Sequence, residues 1–313
     1  FAFFRSTDQA KKNQIPTVGI LQLTSHPALD EIHRGIIAAL KEEGFISGKN
    51  IKIDFQNAQN DQSNLKSMSQ RFENEDAAVM IGIATPAAQS LANTTKTTPI
   101  VMGAISDPIG AGLVKDLKHP GGNITGVQHK EPIALQLQLI KTIMPELKTI
   151  GVLHTSSDES SAAEVKEFSQ LAQNTGLQVK EYTITSTNDI QQVSATMASN
   201  VQAIYIPNDN TVASGFQTVL KNANQNKIPI FPSTPEMTRQ GGRATVSVSQ
   251  YELGKMTGKM TAAILKGKDP ADMAIEYPTK GTTYLNQKQA QQLGIDLPNE
   301  LVTQISKKGV VIK

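Results

Sequence analysis

The segment TVGIL at residues 17–21 is a short apolar run, and the segment TIGVL repeats it at residues 149–153, 132 positions further along the chain. Short all-apolar runs are typical of central strands in a parallel sheet, which is covered on both faces. A helical pattern of apolar residues follows each run and stops at a glycine, Gly44 in the first copy and Gly176 in the second. The repeat indicates one structural unit that occurs twice.

Three further pairs of strand-like segments continue the correspondence between the two copies. They occur in the same order and at a nearly constant offset: residues 51–55 and 179–183, 79–84 and 203–206, and 99–101 and 229–231. Strands that alternate with helices predict βαβ units with parallel sheets and right-handed crossovers. Chance likeness among βα units is the alternative, and the shared order argues against it. We therefore predict an α/β fold of two doubly wound, Rossmann-like lobes.

The C-terminal part of the chain contains more strand-like and helix-like segments than the second lobe needs. We expect the chain to cross back to the first lobe near Gln250 and to leave it again near residues 277–281, which makes a hinge of several strands. The predicted first lobe is residues 15–127 with about 250–278. The predicted second lobe is residues 128–249 with about 279–313.

The composition excludes several classes of protein. A net charge of +2 without a clustered basic face gives no reason to expect a nucleic-acid partner. The chain has no cysteine, which excludes disulfides, thiolate metal sites and a cysteine nucleophile. None of the five histidines shows metal-ligand spacing, and no dinucleotide fingerprint, phosphate loop or nucleophile elbow occurs. We therefore expect no cofactor, no metal ion and no catalysis.

The first 14 residues differ in character from the rest. An apolar patch, FAFF at residues 1–4, precedes Arg5 and a polar run. This order is typical of the remnant of a signal peptide or membrane anchor that is followed by a flexible tether. A plain disordered tail or an expression artefact is the alternative.

The fold predicts where a ligand binds, because ligands of open parallel sheets lie outside the carboxyl ends of the strands. The candidate residues are therefore those that follow each strand. In the first lobe they are Ser25, His26, Thr85, Pro86, Ser106 and Asp107. In the second lobe they are Ser156, Ser157, Asn208, Asp209, Ser233 and Glu236. Two such rims that face each other form a polar cleft.

Two of these features have a specific chemistry. Thr85 and Pro86 suit the N-cap and the first position of a helix, whose free N–H groups bind anions such as carboxylates. Asp209 is the first choice for holding an ammonium group, because Asn208 and Asn210 beside it leave it no nearby basic partner. The alternatives are that Thr85 only caps its own helix and that Asp209 forms a local Asx turn.

Several stretches resemble one family, the ABC-transporter substrate-binding proteins with a type I periplasmic-binding fold. They are SHPALD (25–30), IATPAAQ (83–89), SDPIGAGLV (106–114), NITGV (123–127), IPNDN (206–210) and NQKQAQQLGI (286–295). Within the family, the chain is similar to the tryptophan or aromatic amino-acid binders of Gram-positive bacteria. The likeness extends over nearly the whole chain from Ile15 onward.

The resemblance implies a function. It implies that the lobes close on an amino acid, with tryptophan favoured, and deliver it to an ABC permease in the membrane. The carboxylate would then bind at Thr85 and at the turn of Ser156 and Ser157, and the ammonium at Asp209. The resemblance also implies a monomer at the extracellular face of the cell membrane, anchored by an N-terminal segment.

Two other classes of function share this architecture. One is an enzyme with its active site between two α/β lobes, for which no nucleophile, metal or cofactor motif is visible. The other is the ligand-sensing domain of a regulator, which normally carries an N-terminal helix-turn-helix. Residues 1–14 are too short for that motif.

Overall fold

The computed structural model describes residues 15–294 and 297–313. The anchor predicted at residues 1–14 lies outside these described residues. Within them, no helix combines the length and the apolar character that crossing a membrane requires.

The first lobe is built on a parallel sheet of five strands in the order β2-β1-β3-β4-β5. The strands are β1 (Thr17–Gln22), β2 (Lys52–Asn57), β3 (Val79–Ile83), β4 (Ile100–Ile105) and β5 (Ile124–Gln128). The helices between them are α1 (Pro27–Glu42), α2 (Gln62–Asn74) and α3 (Thr85–Thr94). The strands β1, β3 and β4 are almost entirely buried, as expected for apolar strands covered on both faces.

The second lobe repeats this topology. Its parallel strands are β6 (Thr149–Thr155), β7 (Gln178–Ile184), β8 (Ala203–Ile206) and β9 (Ile230–Pro232), in the order β7-β6-β8-β9. Its helices are α4 (Ile133–Ile143), α5 (Glu159–Asn174), α6 (Ile190–Ala198), α7 (Asn210–Ser214), α8 (Phe216–Gln225) and α9 (Pro235–Gln240). This strand order corresponds to the order β2-β1-β3-β4 in the sheet of the first lobe. The predicted pair of doubly wound lobes is therefore confirmed.

A third, small sheet belongs to the second half of the chain. Its strands are β10 (Ala244–Ser247), β11 (Thr282–Asn286) and β12 (Val310–Ile312). Strand β11 pairs with β10 in antiparallel and with β12 in parallel orientation. The remaining helices are α10 (Gln250–Leu265), α11 (Gln287–Leu293) and α12 (Asn299–Lys308). Helix α12 packs on this sheet, whereas α10 packs on α1 in the first lobe.

The described chain passes between the lobes at three places: after β5, after β10 and before β11. Two of these connections are hydrogen bonded to each other. Gln128 N–H donates to the carbonyl of Glu276 at 2.7 Å, and Glu276 N–H donates to the carbonyl of Gly126 at 3.0 Å. The lobes are thus joined by paired extended segments rather than by one flexible strand.

Glycines allow α1 and α10 to cross at close range. A Cβ atom at Gly35 would lie 2.1 Å from the carbonyl oxygen of Tyr251, and one at Gly254 would lie 2.1 Å from that of Ile32. Real Cβ atoms do not approach backbone oxygens so closely, so the two backbones meet only because these positions lack side chains. The contact fixes α10 to α1, the helix that follows the rim after β1.

We predict that Gly254→Ala destabilises the protein by about 1–3 kcal/mol, because the added methyl group forces α10 away from α1. Urea unfolding followed by circular dichroism measures the change. The control is Gly122→Ala, where an added Cβ meets no heavy atom within 4 Å. Equal unfolding midpoints for the two variants would contradict the close crossing.

Candidate functional site

The carboxyl ends of the two parallel sheets meet around a small cavity between the lobes. It is lined from both lobes and from the hinge, and a water-sized sphere can move within only about 10 Å³ of it. That is room for about one water molecule, so in this arrangement of the lobes the lining side chains nearly fill the cavity.

One wall of the cavity is apolar. Ala28, Leu29 and Ile32, which lie on the first turns of α1, form this wall. Ala84 and Ala104, at the ends of β3 and β4, add two methyl groups from the same lobe. A flat or aliphatic group of a ligand can pack against this surface with loss of water.

The opposite wall carries hydrogen-bonding groups. Ser160 on the first turn of α5 and the asparagines Asn208 and Asn210 come from the second lobe. His129 and Gln250 come from the hinge segments. Among the described residues that line the cavity, none is Asp, Glu, Lys or Arg. Apart from His129, which pairs with the buried Glu131, the side chains that this wall offers to a ligand are therefore polar and carry no charge.

The backbone at the cavity is strained in two places. Ala84 has φ 75° and ψ 153°, and Ala104 has φ 62°, a region that favours glycine. Such strain is common where function requires a specific backbone path. Ala84 is the N-cap of α3, so Thr85 is the first helical residue rather than the predicted cap. Because alanine has no side-chain acceptor, the N-cap residue Ala84 makes no side-chain hydrogen bond to the first N–H groups of α3.

Three hydrogen bonds join the polar rims across the cleft. His26 Nε2 lies 3.1 Å from Asn210 Oδ1. Asn208 Nδ2 donates to Ser106 Oγ at 3.1 Å and lies 3.1 Å from His129 Nδ1. Burial lowers the pKa of His26, which keeps the ring neutral at neutral pH. The structure thus brings together three sequence-predicted residues from opposite lobes, His26, Ser106 and Asn208.

Asp209 lies behind this surface and is engaged within its own lobe. One carboxylate oxygen accepts the backbone N–H of Thr155 at 2.6 Å. The other accepts the Thr155 hydroxyl at 2.8 Å and the backbone N–H of Val212 at 2.9 Å. Asp209 is therefore the N-cap of α7, whereas the alternative role expected from the sequence was a local Asx turn, and it is 1% exposed.

The remaining predicted residues lie away from the cavity lining. Pro86 and Ser157 line a wider polar groove together with Lys66. Ser25 donates to the carboxylate of Asp30, Asp107 accepts the N–H of Gly110, and Ser156 is exposed. These side chains serve local turns or the surface.

Ser233 and Glu236 are buried at the start of α9. Glu236 Oε1 lies 3.6 Å from Arg239 Nη1. Burial raises the pKa of the Glu236 carboxyl group to about 7. Neither residue lines the cavity.

Sequence reasoning missed several lining residues. Asn210 lies two positions after Asn208, at the same strand end, but it is not among the residues predicted from the sequence. Ser160 is one helical turn beyond the predicted turn at Ser156 and Ser157. His129 and Gln250 follow strands at the hinge, where a side chain can face either lobe. Across the described residues, no group of three or more His, Asp or Glu residues is placed to hold a metal ion.

Two similar α/β lobes that face each other across a cleft define the type I periplasmic-binding fold. The chain belongs to the ABC transporter substrate binding protein family, whose sequence profile matches residues 17–308. Proteins of this family bind solutes outside the cytoplasm for a transporter and are not enzymes, so this chain is a substrate-binding protein.

Relatives support this assignment. A tyrosine-binding protein of Clostridioides difficile is 36% identical over 271 residues, which are 87% of this chain and 78% of the relative. The crystal structure of an ABC domain from Streptococcus pneumoniae in complex with L-Trp is 45% identical, with a TM-score of 0.91. That match covers 96% of this chain and all of the other.

A third relative bears on how the two lobes are arranged. The ligand-free, open structure of a substrate binding protein with adhesive properties from Clostridium difficile is 34% identical. The match covers 96% of this chain and 99% of the other, but its TM-score is only 0.73. The better overlay on the L-Trp complex agrees with the hydrogen bonds across the cleft. In the structure, the two lobes touch each other across the cleft.

We predict that Ala84→Gly stabilises the protein by about 1 kcal/mol. Glycine relieves backbone strain of about 1–3 kcal/mol but loses more chain entropy on folding. The control is Ala87→Gly, inside α3, where the same change lowers stability because no strain is relieved. Urea unfolding of both variants checks the opposite signs, and a loss of stability in both would contradict strain at Ala84.

Proposed function

We propose that the protein captures L-tryptophan or another aromatic amino acid in the cavity between its lobes and delivers it to an ABC permease. The observation that carries the proposal is the small cavity between the lobes, with one apolar wall and one polar wall that holds no Asp, Glu, Lys or Arg among the described residues. An amino acid is a zwitterion without net charge. A lining that supplies hydrogen bonds at one side and apolar contact at the other suits such a molecule once the lobes separate enough to admit it.

The carboxylate of the ligand binds at the start of α3 in this proposal. The N-cap residue Ala84 makes no side-chain hydrogen bond to the first N–H groups of that helix, and Thr85 on its first turn lines the cavity. Free N–H groups and the helix dipole both favour an anion at this end.

The ammonium group binds at the opposite wall. Ser160, Asn208 and Asn210 bring a hydroxyl and two amide groups to the cavity, and their oxygen atoms can accept hydrogen bonds from N⁺–H. This placement replaces Asp209, whose carboxylate oxygens already accept three hydrogen bonds. The ring of the side chain packs on Leu29 and Ile32.

Closure of the lobes accompanies binding. Asn208 and Asn210 line the cavity and also form the hydrogen bonds across the cleft, so the ligand and the opposite lobe are held by the same two residues. A ligand that contacts both lobes favours the closed form through its higher affinity for that form. We propose that the predicted lobes, residues 15–127 with about 250–278 and residues 128–249 with about 279–313, move as units on the paired hinge segments.

The cellular setting follows from the same proposal. The protein works as a monomer at the extracellular face of the cell membrane, where an N-terminal segment anchors it. The permease recognises the closed lobes and receives the amino acid when they open.

We predict that isothermal titration calorimetry detects binding of L-tryptophan, L-tyrosine or L-phenylalanine, and that X-ray scattering detects compaction with the same ligand. Asn210→Ala weakens binding about 10- to 100-fold, because a hydrogen bond to a charged group contributes about 1.5–3 kcal/mol. The control is Asn174→Ala, at the exposed end of α5. Absence of binding with all three amino acids would refute the proposed ligand class. Unchanged affinity in Asn210→Ala would refute the proposed ammonium site.

A further inference from the structure

Three carboxylates lie directly behind the polar wall of the cavity: Glu164 and Asp209 are buried, and Asp158 is partly exposed. Asp158 accepts the backbone N–H groups of Ser160 at 2.9 Å and of Asn210 at 3.0 Å. Glu164, one turn beyond Ser160 on α5, accepts the backbone N–H of Asn208. Asp209 holds the same loop through Thr155 and Val212. Ser160, Asn208 and Asn210 are therefore each one hydrogen bond or one peptide from a carboxylate.

This negative charge has no basic partner within the lobe. Within residues 15–294 and 297–313, neither lysine nor arginine forms an ion pair with Asp158, Glu164 or Asp209. Glu164 Oε1 is also buried without a hydrogen-bond partner. Buried carboxylates are costly unless a cation or several donors compensate them.

The raised pKa values of two of these acids reflect that cost. Burial, followed by the nearby charge of Asp209, raises the pKa of Asp158 to about 6. Burial also raises the pKa of Glu164 well above its ordinary value, with Glu131 adding repulsion. A cation that enters the cavity would restore the charged forms, because an adjacent positive charge favours an ionised carboxylate.

We infer that Asp158, supported by Glu164, selects ligands that carry an ammonium group and makes their binding release protons. This inference rests on the proposed function and adds the residues that determine its specificity. Neither acid lines the cavity. They are positioning residues that act through Ser160, Asn208 and Asn210 and through the negative field behind them.

The pH dependence has a definite sign. A bound ammonium group lowers the pKa of Asp158 relative to the value of about 6 in the protein without ligand. Affinity for an amino acid is therefore full above that pH and falls as the pH drops through about 6, where protons compete with the ammonium. Other titratable groups face the same region: His26 and Asp30 from the first lobe, His129 and Glu131 from the hinge, and Glu167 and Asp209 from the second lobe.

The test compares two ligands that differ only in the ammonium group, L-tryptophan and indole-3-propionate. Asp158→Asn removes the charge and keeps an N-cap for α5, because asparagine caps helices as well as aspartate does. We expect the affinity for L-tryptophan, divided by the affinity for indole-3-propionate, to fall about 10- to 100-fold in this variant. Binding of indole-3-propionate itself stays unchanged or becomes stronger. A purely structural role would weaken both ligands equally.

Calorimetry in two buffers of different ionisation enthalpy supplies a second measurement. Near pH 6.5, the wild-type protein releases protons when it binds L-tryptophan, and Asp158→Asn releases fewer. The control is Asp189→Asn, a capping aspartate of the same lobe that does not line the cavity. Should Asp158→Asn not fold, Glu164→Gln is measured with both ligands in its place.

The outcomes separate the two proposals. If the wild-type protein binds none of the aromatic amino acids, the proposed function fails and this inference fails with it. If the wild-type protein binds L-tryptophan but the variant keeps the affinity ratio and the proton release, this inference alone is overturned.

Discussion

The hydrogen bonds of Asp209 hold the binding surface in place, although this residue does not line the cavity. Its carboxylate joins the end of β6 at Thr155 to the start of α7 at Val212. This link fixes the loop that carries Asn208 and Asn210, on either side of Asp209, and both asparagines reach the other lobe. A buried carboxylate with several donors is a rigid support, because any movement of the loop would leave its charge without compensation.

In the binding mode that we propose, recognition and closure share the same residues. Asn208 and Asn210 belong to the cavity wall and to the contact between the lobes, so a ligand held there would stabilise the contact that encloses it. The apolar wall comes from α1, on which α10 packs closely at two glycines. One wall is thus fixed by close helix packing and the other by buried hydrogen bonds. We propose that the hinge between them is the part that moves.

Much of the fold was predictable from the sequence, and the site was predictable only in outline. Apolar runs and glycine stops located the strands and helices, because burial and helix termination are local properties. The strand-end rule led to His26, Thr85, Ser106 and Asn208, which line the cavity or cross the cleft. The same rule selected Ser156 and Asp107, which lie outside the lining, because it identifies an edge of the sheet without the direction of each side chain.

The sequence by itself determined a duplicated α/β architecture, the absence of cysteine from residues 1–313 and the sheet edges at which we propose that a ligand binds. Only the tertiary structure decided that His26 meets Asn210, 184 positions away, and that Ala84 and Ala104 adopt strained backbone angles beside the cavity. It alone decided that Asp209 serves the fold rather than the surface of the cavity. The physical reason is that periodic burial is encoded over a few residues, whereas contacts between lobes depend on how two separately folded units are placed by the hinge.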